Sequence, residues 1–238
     1  TESAAAGRTR PLGLAGAIGA LRGWRRLALA ALAGAVMTLG HAPVHLPWGW
    51  FVALPVIIWL MAGARRPLGS AAAAWAAGFG YFATGLHWIG HAFLVDAEAF
   101  AWMLPFALTL LPGGLALFWG LAAWAARRIA GPRALPLAVT FAGTLTLAEY
   151  ARTHVLTGFP WALPGYIWIE TPVAQAASWA GPHGLTALTL LLTALPGVAL
   201  AVRGRALAAG GFAVAALVAL GWSGAARLAA PEPAEDGP

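Results

Sequence analysis

Long apolar runs separated by short basic or polar turns organise this chain from residue 24 onward. Seven stretches are apolar enough to span a bilayer, at 24–41, 48–63, 68–94, 100–126, 134–151, 183–202 and 206–223. The pattern therefore predicts an all-α integral membrane protein, a bundle of about seven transmembrane helices. The second stretch is short and would need local thinning or its flanking tryptophans to span. Pro105 and Pro112 are expected to kink the fourth.

Charge turns the runs into a topology. Cytoplasmic loops retain arginine, whereas short translocated loops tend to lack it. Alternate segments hold Arg8, Arg10, Arg22, Arg25 and Arg26, then Arg65 and Arg66, then Arg127, Arg128 and Arg133, then Arg203 and Arg205, whereas the opposite set holds only Arg152 and Arg227. Twelve against two puts the N-terminus in the cytoplasm and, with seven helices, the C-terminus outside. Asp96, Glu98, Glu170, Glu232, Glu235 and Asp236 all fall on the outer side.

Composition agrees: 61% of residues are hydrophobic and 9% charged. The formal charge of +6 does not mark a nucleic-acid surface, because the arginines are dispersed at helix ends and not gathered on one face. Membrane lipid headgroups are the expected partners of these cations. The chain has neither cysteine nor lysine, and Ser3, Ser70, Ser178 and Ser223 are its only serines, so it is poor in nucleophiles.

The expected division is a cytoplasmic segment at 1–23, a helical membrane domain at 24–223 with an interfacial outer loop at 152–182, and a Pro-rich linker at 224–238 leaving the membrane on the outer side.

Polar groups at membrane depth are costly and mark functional sites by default. They collect at the outer ends of the third and fifth predicted helices and in the following loop. On the third predicted helix Thr84, His87, Trp88 and His91 share a face, and Gly78, Gly80 and Gly85 admit a neighbouring helix closely. His87 and His91 have a spacing that can chelate a metal, but two histidines need further ligands, and interfacial hydrogen bonding is the plainer reading.

The fifth predicted helix ends with Glu149 and Arg152 three apart on one face. Either the two form a structural ion pair, or Arg152 aims its planar fork at a phosphate or carboxylate of a lipid. Gly158-Phe159-Pro160-Trp161-Ala162-Leu163-Pro164-Gly165-Tyr166 is too rich in Pro and Gly for a helix and too apolar for a solvated loop, so it belongs at the interface. Trp161, Tyr166 and Trp168 would sit there as headgroup-level anchors, or line a cavity at the outer leaflet.

These residues resemble the bacterial apolipoprotein N-acyltransferases. The resemblance rests on Gly85-Leu86-His87-Trp88-Ile89, Ala92-Phe93-Leu94-Val95-Asp96, Phe100-Ala101-Trp102-Met103-Leu104-Pro105-Phe106, and above all on Thr157-Gly158-Phe159-Pro160-Trp161 shortly after Glu149 and Arg152. It covers most of residues 24 to 202. It implies an inner-membrane enzyme that moves an acyl chain from a phospholipid donor to the N-terminal amine of a diacylglyceryl apolipoprotein acceptor, without a cofactor. It also implies a periplasmic nitrilase-like domain with a Glu-Lys-Cys triad after the seventh helix. No residue here can take the Lys or Cys role, so this chain is expected to hold and orient lipid substrates, with no catalytic residue of its own. His87, Trp88, Glu149, Arg152, Gly158, Pro160, Trp161 and Tyr166 are the residues expected to line the lateral entrance. The rival readings are an intramembrane metal-dependent enzyme built on His87 and His91, and a non-catalytic transporter or scaffold.

Overall fold

The computed structural model describes residues 13–202 and 206–230, and every regular element among them is helical. The predicted cytoplasmic residues 1–12, Arg203 and Arg205, and the Pro-rich residues 231–238 lie outside that range. In chain order the α-helices are α1 Gly13–Ala20, α2 Gly23–Met37, α3 Trp48–Ala62, α4 Pro67–Gly85, α5 Ala97–Phe100, α6 Leu104–Ala130, α7 Ala134–Arg152, α8 Ala177–Val202 and α9 Ala206–Leu228.

Each predicted apolar stretch falls largely within one of these elements, since a backbone surrounded by hydrocarbon must satisfy its own hydrogen bonds. Four stretches among the described residues are long and apolar enough to cross a membrane: Ala97–Ala130, Ala134–Arg152, Pro172–Ala201 and Leu207–Ala229. Helix α3 is apolar but short. Helix α2 opens with Arg25 and Arg26, and α4 is built on Ala and Gly in place of branched aliphatics.

Several boundaries differ from the sequence expectation. Helix α4 stops at Gly85, and His87–Leu94 is a 3-10 helix instead of an α-helical continuation. Leu86 leaves the α region at φ −111° and ψ 9°, and His87 Nδ1 bonds the Thr84 carbonyl at 2.7 Å where the ladder ends. His87 and His91 therefore do not stack one α-helical turn apart. Pro105 sits in the first turn of α6, where its missing N–H would be unpaired anyway, so only Pro112 lies inside that helix. Helix α8 begins at Ala177, within the predicted loop, and bends at Gly181, whose φ is 66°. Helix α9 continues to Leu228, into the predicted linker. Helix α1, within the predicted N-terminal segment, carries too little apolar length to announce itself.

Helix α4 is the central element. It crosses α2 so closely that a Cβ at Gly80 would overlap the Ala31 carbonyl and one at Gly34 the Ala77 carbonyl. Small residues let the backbones meet, giving dispersion contacts a membrane helix cannot obtain from lipid. On its other side α4 faces α6, where Trp119 is fully buried, and α7 contributes Phe141 and Leu145 to the same core.

The arginines segregate in space. Arg22, Arg26 and Arg127 all reach the turn between α3 and α4, which carries Arg65 and Arg66, so these five share one end of the bundle. The α2–α3 connection, the end of α4 and the 153–176 segment meet at the opposite end.

Candidate functional site

At that opposite end a cavity of about 600 Å³ opens between the α2–α3 connection, the end of α4 and the segment after α7. Its wall is mostly apolar and includes Val44, Leu86, Trp88 and Ile169. The polar groups are few and convergent: Thr38, His41, Tyr81, Thr84, His87 and Tyr166. An apolar pocket with a handful of placed polar groups is the form that lipid-sized ligands need.

One wall hangs from a buried ion pair. Arg152 donates from Nε to Glu149 Oε2 at 2.9 Å, and its Nη2 donates to the same oxygen. Trp119 Nε1 supplies the other carboxylate oxygen, Oε1, at 2.8 Å. Glu149 is wholly buried and Arg152 is 2% exposed, so this charge pair is satisfied within the protein. The remaining guanidinium nitrogen, Nη1, donates to the carbonyls of Phe159 at 2.5 Å and Trp161 at 3.1 Å. The guanidinium lies near the rings of Phe82 at 5.1 Å and Phe159 at 5.7 Å.

A second anchor completes the wall. Tyr81 is 1% exposed within an aromatic group of Trp50, Phe82 and Trp119. Its hydroxyl donates to the Ala162 carbonyl at 2.9 Å and lies 2.5 Å from His41 Nε2. A phenol has one proton, so with that proton on Ala162 the imidazole must donate from Nε2, leaving Nδ1 as an acceptor. Three loop positions, 159, 161 and 162, are thus tied by their carbonyls to α7 and α4. The loop accommodates this with left-handed backbone at Gly158, φ 75°, and at Ala162, φ 54°. A Cβ on Gly158 would come within 2.5 Å of the Thr153 carbonyl oxygen.

So held, the loop presents Trp161, 51% exposed, beside Trp88, 47% exposed, with ring centroids 5.2 Å apart. Of the residues expected at the entrance, His87, Trp88, Trp161 and Tyr166 line the cavity. Glu149 and Arg152 lie behind it, with Arg152 turned inward onto its own helix and the loop carbonyls. Gly158 shapes the loop, and Pro160 is exposed outside the cavity lining. Trp168 departs from its expected anchoring place: it is 3% exposed and bonds Thr189 on α8 at 2.8 Å, because the 3-10 turn Pro164–Trp168 packs inward.

His41 and Tyr81 escaped the sequence reading. Each has polar neighbours at helical spacing, Thr38 and His45 for His41 and Thr84 for Tyr81, but nothing within either segment pairs the two with each other, and they meet only because α2 and α4 cross. The available signal was the pairing of His41 and His45 in a Pro-rich turn at the same predicted membrane face as Trp161. Among the described residues no three of His, Cys, Asp and Glu gather to hold a metal.

Comparison with known proteins agrees with the motif. The family model described as apolipoprotein N-acyltransferase N-terminal domain matches residues 33–195. The chain is similar to a protein named apolipoprotein N-acyltransferase from Rhodopseudomonas palustris, 46% identical over 182 residues covering 74% of this chain and 34% of that protein. It is also similar to namesakes from Brucella suis, 44% identical over 78% of this chain and 36% of the relative, and Bradyrhizobium diazoefficiens, 41% identical over 87% and 40%. The chain thus spans little more than a third of the length of these curated relatives.

Proposed function

The chain belongs to the apolipoprotein N-acyltransferase family, and we propose that it is the membrane part of an enzyme that transfers an acyl chain from a phospholipid to the N-terminal amine of a diacylglyceryl apolipoprotein. The observation that carries this reading is the apolar cavity of about 600 Å³, walled by a loop whose Phe159, Trp161 and Ala162 carbonyls are all held by side chains. Such a wall is rigid enough to orient a flexible acyl chain, which supplies proximity to a nucleophile. In this reading the cysteine nucleophile that the family resemblance implies belongs to another part of a longer protein, since this chain contains no cysteine.

In this reading seven helices span a bacterial inner membrane, α2, α3, α4, α6, α7, α8 and α9, with the N-terminus cytoplasmic and residue 238 in the periplasm. Residues 1–23 lie on the cytoplasmic side, the connection from 152 to 176 forms the outer interface, and the residues after α9 lead toward a nitrilase-like domain. The gathering of Arg22, Arg26, Arg65, Arg66 and Arg127 at one end supports the orientation. His87, Trp88, Trp161 and Tyr166 contact lipid in the cavity, joined by His41 and Tyr81. Glu149, Arg152, Gly158 and Pro160 serve by fixing the loop that carries Trp161.

The test uses the full-length enzyme in phospholipid vesicles with a diacylglyceryl peptide acceptor. Trp88→Ala and Trp161→Ala are expected to raise the KM for the phospholipid by roughly tenfold or more, as truncating aromatic anchors that a bound ligand covers does. Unchanged kinetics in both variants would remove the cavity from the reaction.

A further inference from the structure

A second cavity, of about 520 Å³, lies at the basic end of the bundle, far from the site above. Four of its residues are arginines brought from separate elements: Arg22 before α2, Arg26 in its first turn, and Arg65 and Arg66 before α4. Arg127 on α6 approaches the same turn. A topological signal needs arginine on the right side of the membrane; it does not need five of them to meet around one turn.

They meet without a counter-charge. Arg22 Nη1 and Arg26 Nη2 both donate to the Gly63 carbonyl, at 3.0 and 3.2 Å, and Arg127 Nη2 donates to the Ala64 carbonyl at 3.2 Å. Among the described residues no carboxylate pairs with any of them; the one ion pair is Glu149 with Arg152. Arg26 is 7% exposed and lines the cavity, yet its Nε has no partner. Gathered like charges and an unsatisfied buried donor are both costly unless an anion answers them. The first turn of α4 adds its Leu68 and Gly69 to the same cavity, placing the positive end of a 19-residue helix there.

The cavity continues into apolar surface. Leu68 also belongs to a groove of about 560 Å³ between α4 and α6, lined by Ala72, Trp75, Leu117, Leu121 and Trp124 among others. Its polar head and greasy trough share that one leucine.

We propose that this is a binding site for an anionic phospholipid, with the phosphate among Arg22, Arg26, Arg65 and Arg66 and an acyl chain along the α4–α6 groove. Planar guanidinium forks suit a phosphate diester, and basic pockets between membrane helices take anionic headgroups. The groove is what favours a lipid over a free phosphate ion. Occupancy would clamp α2, α4 and α6 at the end opposite the first cavity, and α4 runs between the two. The proposal needs only that the helices lie in a membrane, so it stands or falls apart from the acyltransferase reading.

The test uses the full chain in mixed micelles, with phosphatidylglycerol and phosphatidylcholine of identical chains as probes and native mass spectrometry as the readout. Phosphatidylglycerol should be retained in preference to phosphatidylcholine. Arg65→Gln with Arg66→Gln, two exposed positions outside the core, should weaken that retention by roughly twenty-five-fold, about fivefold per arginine. Ala72→Phe, which fills the groove, should weaken it several-fold while leaving the melting temperature in phosphatidylcholine unchanged. Equal retention of the two lipids in the wild type overturns the proposal. It is also overturned if millimolar inorganic phosphate raises the melting temperature of the wild type alone while Ala72→Phe retains phosphatidylglycerol normally, since the ligand is then the free ion.

Discussion

Arg152 turns back along α7 onto Glu149, so the cation that departs from the charge rule of its neighbours is neutralised three residues away, with Nε 2.9 Å from Oε2. Its last nitrogen then holds the Phe159 and Trp161 carbonyls. An ion pair and a loop clamp are thus one structure, and Trp161 depends on both.

Removing one partner of this pair should be worse than removing both. Glu149→Gln leaves a buried guanidinium without its counter-ion and is expected to cost about 3–5 kcal/mol, whereas Glu149→Leu combined with Arg152→Met should cost less than either single change. Thermal unfolding in detergent measures this, and simple additivity would contradict the coupling.

Trp119→Phe isolates a single hydrogen bond. The ring keeps its place beside Tyr81 and Phe82, but Glu149 Oε1 loses its donor at 2.8 Å. A loss of about 1–3 kcal/mol is expected, the range for a buried acceptor left unpaired. Stability equal to wild type would mean that the carboxylate is satisfied elsewhere.

Two glycines should respond oppositely to alanine. At Gly80 the new Cβ would overlap the Ala31 carbonyl and force α2 from α4, whereas at Gly114 nothing lies within 4 Å. Gly80→Ala should therefore destabilise, while Gly114→Ala in the middle of α6 should stabilise by about 0.5–1 kcal/mol through helix propensity. The sign of the two melting-temperature shifts decides it.

Gly158→Ala tests the loop. Its φ of 75° and the nearby Thr153 carbonyl disfavour any side chain, so the clamp on residues 159–162 should loosen at a cost of about 1–2 kcal/mol. Faster hydrogen exchange confined to the segment after α7 is the expected signature; protection at wild-type level would show that the loop tolerates the change.

Tyr81→Phe removes the hydroxyl that joins His41 to Ala162 while preserving the ring. In the full-length enzyme it should raise the KM for phospholipid several-fold, with a smaller change in melting temperature than Trp119→Phe. A fall in stability alone, with normal KM, would make Tyr81 purely structural.

Hydropathy placed the apolar stretches because the bilayer acts on each segment independently: a backbone in hydrocarbon must be helical whatever its neighbours do. The same local rule misjudged the end of α4, where Gly85 and Leu86 give way to 3-10 turns, and it overlooked α1, which is apolar but only eight residues long. Glu149 and Arg152 were legible as a pair because three residues is a helical neighbourhood. Trp168 was misplaced because the sequence records its amphipathic ring but not the Thr189 hydroxyl that takes it inward.

The order of residues alone determined that this chain is a bundle of apolar helices, where its basic turns fall, and which loop carries the family motif, since each of these follows from energies local to a segment. Only the tertiary structure decided that Arg152 faces inward, that His41 and Tyr81 meet across a helix crossing, and that arginines from separate helices converge on one turn. The last two are contacts between positions tens of residues apart, and their energy depends on how closely α4 can approach α2 and α6, which the glycines of α2 and α4 permit but no single segment expresses.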